Sequence, residues 1–191
     1  LRMEGGSEEF RWSASASYKD IKGAMKDSYR HNFNASLTLM YKVKNFTFKN
    51  QASYAVTKSQ ESKYGTFSDY VQQQPYNAPY DEDGNIIRMF DGFHAHYEGY
   101  QNPLYDATLN SFDRSGYRTL TKNFAVEWSP LAGLTIRGQV GISATDNTSD
   151  LFLPPEHSTF IDDEYYSTEE GFLRRGTYNY STGRDNTYSG N

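Results

Sequence analysis

The segment from Leu134 to Asn147 alternates between apolar and polar side chains with a period of two. Read from Leu134, one set is Leu, Ile, Gly, Val, Ile, Ala; read from Thr135, the other is Thr, Arg, Gln, Gly, Ser, Thr. A period of two places successive side chains on opposite faces of a β-strand. The segment therefore predicts a strand with one apolar face and one polar face.

The same alternation recurs along the chain, whereas helical periodicity is nearly absent. Aromatic residues stand at or near the ends of the alternating segments, as expected of the interfacial girdles of a barrel in a membrane. Four further segments show the pattern: FRWSASASY from Phe10, NFNASLTLMY from Asn32, FTFKNQASYAV from Phe46 and NFAVEW from Asn123. Together with the opening segment, they predict about six antiparallel strands.

The connections between these strands alternate between short and long, which is typical of an up-and-down antiparallel barrel in an outer membrane. The predicted strands of about 9–11 residues are long enough to cross a bilayer when tilted. The short connections are Gly5–Glu8, Lys42–Asn45 and Ser129–Gly133, and the long ones run from about Asp20 to Arg30, Lys58 to Arg118 and Asp146 to Arg175. The long loops are expected outside the cell and the short turns in the periplasm.

This architecture gives each face of a strand a different surrounding. The apolar face is expected to contact lipid, and the polar face, with Arg137 and Gln139, is expected to line a lumen. The lipid-facing residues predicted for the opening segment are Leu134, Ile136, Val140 and Ile142. Two alternatives remain open at this point: a soluble, secreted β-sandwich that binds carbohydrate, with its apolar face turned inward, and a passive barrel of the porin or adhesin type.

Composition removes several classes of function. The chain has 191 residues, a net charge of -5 and no basic block longer than two residues, which disfavours a nucleic-acid partner. It has no cysteine, so disulfides, thiolate catalysis and zinc-thiolate sites are excluded. An aromatic content of 16% disfavours disorder. No apolar run approaches the length of a transmembrane helix.

The long loop carries its own local signals and a weak metal-like pattern. The sequence TFSDYVQQQP predicts a short helix between Thr66 and Pro75, and DEDGN predicts a tight turn within a small hairpin. His94 and His96 are spaced so as to share one face of a strand, but Glu98 is the one obvious third ligand nearby, so no metal site is predicted. The adjacent carboxylates from Asp162 to Glu164 do not suit the separation that a glycosidase pair needs. No catalytic residue and no cofactor are predicted.

Tyrosines of the long loop are the best candidates for contact with a substrate. Aromatic rings stack on the C–H surfaces of sugars, and the phenol adds a hydrogen-bonding group. The same residues could instead pack the loops together or meet a partner protein. The candidates are Tyr70, Tyr76, Tyr80, Tyr97, Tyr100 and Tyr105.

Several segments together resemble the SusC/RagA family of TonB-dependent outer-membrane transporters. They follow the order of the family and span nearly the whole chain: GGSEEFRWSASASY, YGTFSDYVQQQPYNAPYDEDGNI, NPLYDATLNSFDRS, VEWSPLAGLTIRGQVGIS, SDLFLPPEHSTF and RGTYNYSTG. The resemblance implies a 22-stranded barrel with an internal plug, and a SusD-like surface lipoprotein that lids the barrel and captures glycans or, in some members, peptides. It also implies that transport is powered through TonB acting on the plug.

On this resemblance, residues 1–191 are expected to be part of the barrel domain of a longer protein, with the plug, the TonB box and the remaining strands lying elsewhere. The family has no catalytic residues, so no enzyme activity is expected. The expected location is the outer membrane of a Gram-negative bacterium.

Overall fold

The computed structural model describes residues 1–71, 73, 76–90, 100–160 and 168–191, with side chains not described at Asp69 and Tyr100. Nine strands lie within the described residues. They are β1 Arg2–Gly6, β2 Phe10–Lys22, β3 Tyr29–Val43, β4 Phe46–Gln60, β5 Met89–Phe90, β6 Tyr100–Gln101, β7 Phe112–Leu131, β8 Leu134–Leu153 and β9 Thr177–Gly190.

Seven of these strands form one antiparallel sheet in the order β1-β2-β3-β4-β7-β8-β9. Every strand pairs with the next sheet strand along the chain, and the small β5-β6 sheet lies in the connection between β4 and β7. Strands β1 and β9 are the two edges, so the described part of the sheet stays open. The predicted fold class, an incomplete up-and-down antiparallel sheet with long loops, is confirmed.

The strands are more numerous and longer than the alternation predicts. The sheet has seven strands instead of about six, and its long strands have 13 to 20 residues instead of 9–11. Strand β7 begins at Phe112, well before Arg118, and β8 continues past Asp146 to Leu153. These extensions lie at the edge of the sheet that carries the long connections, called the outer edge, and the edge with the short turns is called the inner edge. In the extensions the alternation of apolar and polar residues is lost while the backbone pairing continues. A pattern of side chains alone therefore places the strand ends too early.

The three short turns are staggered along the sheet. Phe10 pairs with Tyr41, and β3 then continues two residues to Val43 before its turn. Phe46 pairs with Trp128, and β7 continues three residues to Leu131, past a register shift. Closing a sheet into a barrel requires tilted strands and a register stagger of this kind. The stagger therefore fits a segment of barrel wall.

The sheet has a single layer, with no hydrophobic core beneath it. Among the described residues, the buried apolar side chains are Phe90, Pro154 and Phe160, and all three lie outside the seven strands. A β-sandwich buries the inner faces of two packed sheets. The soluble β-sandwich alternative is therefore wrong for this fold.

The loops at the outer edge contain short helices. Helix α1, Phe67–Val71, confirms the helix expected between Thr66 and Pro75. Helices α2, Pro103–Thr108, and α3, Glu169–Phe172, and a 3-10 turn at Ser158–Phe160 were not predicted. No helix in the described ranges is long and apolar enough to cross a membrane.

The hairpin turn predicted for DEDGN is also confirmed. The backbone amide and side-chain amide of Asn85 donate to the carboxylate of Asp81 at 2.7 and 3.0 Å. Gly84 has a positive φ of 84°, the backbone conformation that favours glycine. The Asn85 side chain is also the main reason that the pKa of Asp81 lies below its usual value.

Candidate functional site

One face of the seven-stranded sheet is apolar and exposed. The four residues predicted to face lipid lie on it: Leu134, Ile136, Val140 and Ile142 are 46, 48, 59 and 53% exposed. Register places Phe124 opposite Val140 and Leu120 opposite Ala144, so the apolar surface continues onto β7. Nothing among the described residues covers this face.

Aromatic residues mark both borders of the apolar face. At the inner border Phe10 pairs with Tyr41 and Phe46 with Trp128, and at the outer border Tyr18 pairs with Phe33. On β2 and β3 the two borders stand eight residues apart, which is about 27 Å along a strand. At a tilt of about 40° this gives a band about 20 Å high, close to the band of about 25 Å on outer-membrane barrels.

Two polar residues interrupt the middle of the apolar face. Asn50 pairs with Phe124, and Lys122 pairs with Ala52 and Ile142. Lys122 is exposed, and its long alkyl chain allows the ammonium group to reach toward a polar boundary. Asn50 is already the one exception to the apolar alternation in the segment from Phe46, whereas Lys122 precedes the segment from Asn123 and was not predicted on this face.

The opposite face is polar, and its centre is a row of hydroxyl groups that crosses six neighbouring strands. The residues pair in register from β2 to β9: Ser15, Ser36, Ser53, Thr121, Ser143 and Thr187. Two neighbouring pairs of the row hydrogen-bond: the Oγ atoms of Ser15 and Ser36 are 2.8 Å apart, and Oγ1 of Thr121 is 3.1 Å from Oγ of Ser143. The row gives this face an uncharged, wettable centre.

The residues predicted to face a lumen lie on this polar face. Gln139 pairs with Ala125, and Arg137 pairs with Glu127 near the inner turn. The Arg137 Nε atom donates to the Glu127 carboxylate at 2.7 Å, and both side chains are exposed to solvent. Arg137 and Gln139 therefore lie on the polar face, as the alternation predicts.

A buried polar cluster joins two of the outer loops. Asp106 of α2 accepts hydrogen bonds from the backbone amide of Ser158, at 3.0 Å, and from the Ser158 hydroxyl. The Nδ1 atom of His157 lies 3.9 Å from the same carboxylate. The guanidinium of Arg88 donates to the carbonyl oxygen of His157 and lies over the ring of Tyr105. The cluster fixes the 154–160 segment against helix α2.

The start of helix α2 is held by Asn102, which is fully buried. Its side-chain oxygen accepts from the amide of Leu104, as at a helix N-cap, and its side-chain NH2 group donates to the carbonyl oxygens of Pro79 and Ile87. The sequence carried a readable signal here, because Asn followed by Pro103 fits a cap and first helical position. The pairing of Asp106 with Ser158, 52 positions away, had no comparable local signal.

The environment of His157 favours its neutral form. Burial lowers the pKa of His157 below its usual value of 6.5, and the neighbouring Arg88 lowers it further, while the Asp106 carboxylate opposes both. The side chain of His157 is only 14% exposed. The contact with Asp106 is therefore mainly that of a neutral imidazole beside a carboxylate.

A cavity of about 910 Å³ lies at the outer edge of the sheet, below these loops. Its wall includes the loop around Met25, the segment from Glu61 to Phe67, Asp106 and His157. Tyr64 is the tyrosine in its lining, and Lys26 lies over that ring at 5.6 Å. Tyr64 was not among the predicted candidates.

The six candidate tyrosines do not form one site in the described residues. Tyr70, Tyr76 and Tyr80 are exposed by 44, 92 and 49%. Tyr105 is half-buried beneath Arg88. Tyr97 and the side chain of Tyr100 lie outside what the structure describes. Their contact with a substrate stays a prediction.

The residues considered for metal binding, His94, His96 and Glu98, lie outside the described residues. The carboxylates from Asp162 to Glu164, considered as a glycosidase pair, also lie outside them. Within the described ranges no group of three His, Cys, Asp or Glu side chains is placed to hold a metal ion.

Comparisons with known proteins bear on the fold. No family model matches the sequence, and no curated protein matches it. Among solved structures, the chain is similar to one in the structure of the RagAB peptide importer in its "closed-closed" state, with a TM-score of 0.70 and 20% sequence identity. The match covers 99% of this chain and 20% of that chain.

This chain has the fold of a segment of that importer. The resemblance to SusC/RagA transporters is thereby confirmed at the level of fold. The match takes in the loops as well as the sheet, since it covers nearly all residues. It extends over one fifth of the importer chain, so the larger part of that chain has no counterpart here.

Proposed function

We propose that this chain is part of the wall of an outer-membrane active transporter that imports oligosaccharides or peptides. The observation that carries the proposal is the single-layer sheet, whose apolar face is exposed between two borders of aromatic side chains. Such a face is costly in water and is stabilised by hydrocarbon. Its height of about 20 Å and the stagger of its turns suit a barrel wall in a bilayer.

The polar face supports the transport side of the proposal. A row of uncharged hydroxyl groups binds neither cations nor anions strongly, so it suits the wall of a passage through which polar cargo moves. In this proposal no residue of the chain is catalytic, and no cofactor takes part. The chain contributes wall and outer loops.

The outer loops are the proposed place of contact with a SusD-like surface lipoprotein and with cargo. These loops carry exposed aromatic side chains at Tyr70, Tyr76 and Tyr80. The cavity of about 910 Å³ lies between the loops and the outer edge of the sheet. The solved importer with this fold transports peptides. At 20% identity this does not choose between peptide and glycan, so both classes are proposed as cargo. Energy would reach the barrel through TonB and a plug outside residues 1–191.

Uptake by cells that express the full-length protein tests the proposal. Fluorescent oligosaccharides and oligopeptides are offered to cells with the gene intact, with the gene deleted, and with the gene intact but the proton-motive force collapsed. Active transport predicts that one cargo class enters only in the first case. Uptake that persists after the proton-motive force is collapsed would instead support the passive porin alternative. Uptake unaffected by deletion would contradict a transport role.

A further inference from the structure

Charged side chains replace apolar ones on the exposed face immediately outside the apolar band. On β7, Arg118 stands two residues beyond Leu120, the last apolar residue of the band on that strand. Register aligns Arg118 with Asp146 of β8, and Asp146 with Arg184 of β9. Asp146 lies four positions from Ile142 on β8, so it shares the face of the predicted lipid-facing residues. Arg118 and Arg184 pair directly with Asp146 and therefore lie on the same face.

The three residues form a connected ion triad. Nε of Arg118 lies 2.9 Å from one oxygen of the Asp146 carboxylate, and Nε of Arg184 lies 3.0 Å from the other. The arginine side chains are 64 and 67% exposed, whereas the aspartate side chain is 27% exposed. A guanidinium has five N–H donors, so contact through Nε leaves donor capacity for a further anion. One carboxylate thus holds two exposed guanidinium groups side by side with an excess positive charge.

The surroundings of the triad are also positively charged. On this face of the six long strands, from the row of Arg118 outward, five cations stand against three carboxylates, an excess of two. They are Lys22, Lys58, Arg114, Arg118 and Arg184 against Asp20, Asp146 and Asp150. The whole chain has a net charge of -5. The local excess therefore has the opposite sign from the chain as a whole.

We propose that Arg118 and Arg184 bind the phosphate groups of anionic lipid headgroups in the outer leaflet. The inference rests on the proposed function, because it needs the apolar band to lie in a bilayer. A residue that faces outward just beyond that band lies at the level of the headgroups. Planar guanidinium groups match the oxygens of phosphate, and basic residues at an anionic membrane surface each strengthen attachment. The triad places two such groups side by side on this face.

Binding of lipid A to the full-length transporter in phosphatidylcholine nanodiscs tests this. The probe is fluorescent lipid A, with the same lipid stripped of its phosphates as the matched control. Replacing both arginines, Arg118→Gln with Arg184→Gln, should weaken binding of lipid A by about tenfold or more. The dephosphorylated lipid should bind weakly to both forms. Inorganic phosphate at millimolar concentration should not displace the lipid, because the acyl chains hold it in the bilayer.

Two further variants separate lipid binding from a structural role. Arg137→Gln removes an arginine of a similar ion pair with Glu127, but on the polar face, and should leave lipid binding unchanged. Asp146→Asn removes the carboxylate that competes with phosphate and should keep or strengthen binding. If Asp146→Asn weakened binding as much as the double arginine variant, the triad would act as a structural unit and the inference would be overturned.

The same samples distinguish this inference from the proposed function. The resistance of the folded barrel to unfolding in detergent reports insertion separately from lipid binding. An inserted barrel in which the double arginine variant binds lipid A within twofold of the unaltered protein overturns the lipid site alone. A protein that does not insert overturns both proposals.

Discussion

The indole ring of Trp128 stacks on the phenyl ring of Phe46 across the β4–β7 pair, with centroids 5.7 Å apart and planes 4° from parallel. Phe48 continues the cluster, its ring 6.0 Å from that of Phe46. All three lie near the inner turns on the exposed face. Aromatic rings in this position suit the boundary between hydrocarbon and headgroups, where one side of the ring is apolar and the other is wet.

A double-mutant cycle on this pair should give a coupling energy of about 0.5–1.5 kcal/mol. The variants are Phe46→Ala, Trp128→Ala and both together, and the free energy of unfolding of the full-length barrel in lipid is the measurement. The aromatic contact adds to the burial of each ring, which is why the coupling is favourable. Strictly additive effects would mean that the rings do not stack in the folded barrel.

Introducing a charge into the apolar band should destabilise the protein. Val140→Arg places a guanidinium near the middle of the exposed face of β8, and the expected cost in free energy of unfolding is about 2–4 kcal/mol. Gln139→Arg is the matched control, since its side chain lies on the polar face one residue away. Equal costs for the two variants would argue that both faces meet the same surrounding.

The Asp106 carboxylate should hold the two outer loops together. Asp106→Ala leaves the amide of Ser158 without its buried partner, at an expected local cost of about 1–3 kcal/mol. Hydrogen exchange of the amides from Ser158 to Phe160 in the full-length protein measures it. Asp83→Ala, at an exposed turn of the same long loop, is the control. Unchanged exchange rates in the Asp106 variant would show that other contacts fix this segment.

Acid should loosen the same loop contact. Because burial lowers the pKa of His157 in the folded loop, the unfolded loop binds a proton more readily, and opening takes up a proton. Loop stability should therefore be level above about pH 7 and should fall as the pH drops through about 6.5 toward the lower folded pKa. Hydrogen exchange of the 154–160 segment at pH 7.5 and 5.5 measures the change. His157→Gln should reduce the difference, and an undiminished difference would assign it to another group.

The alternation of side chains predicted most of the sheet because successive residues of a strand lie on opposite faces, and one face of this sheet is apolar while the other is polar. Val140 and Gln139 fall on the expected faces for this reason. The same logic fails beyond the band, where Phe112 to Arg118 and Asp146 to Leu153 remain paired although their side chains show no regular alternation. Apolar and polar side chains occur there on both faces, so a period of two no longer marks the strand.

The outer site was less predictable than the sheet. The turn at Asp81–Asn85 and helix α1 follow from local signals, and α2 had one in Asn102 and Pro103. The contact between Asp106 and Ser158 depends on how two loops fold over the end of the sheet. No local pattern specifies such a contact, which is why Tyr64 of the cavity wall was missed while exposed tyrosines were favoured.

The orientation of the sheet can be measured on intact cells. Gly84 lies in an exposed turn, and no atom lies within 4 Å of the position that a Cβ atom would take there. A short epitope inserted at Gly84 should therefore be tolerated, and antibody should reach it without permeabilisation. An epitope at Gly133, in the turn between β7 and β8, should be reached only after the outer membrane is permeabilised. The reverse pattern would place the long loops in the periplasm.

The exposed apolar face of this sheet is proposed to lie against lipid. Spin labels at Val140 and Ile142 of the full-length protein in bilayers, compared with a label at Gln139, test it most directly. Contact with lipid predicts that oxygen, which concentrates in hydrocarbon, relaxes the labels at 140 and 142, and that a water-soluble nickel complex relaxes the label at 139. Labels at 140 and 142 that respond to the nickel complex and not to oxygen would contradict it.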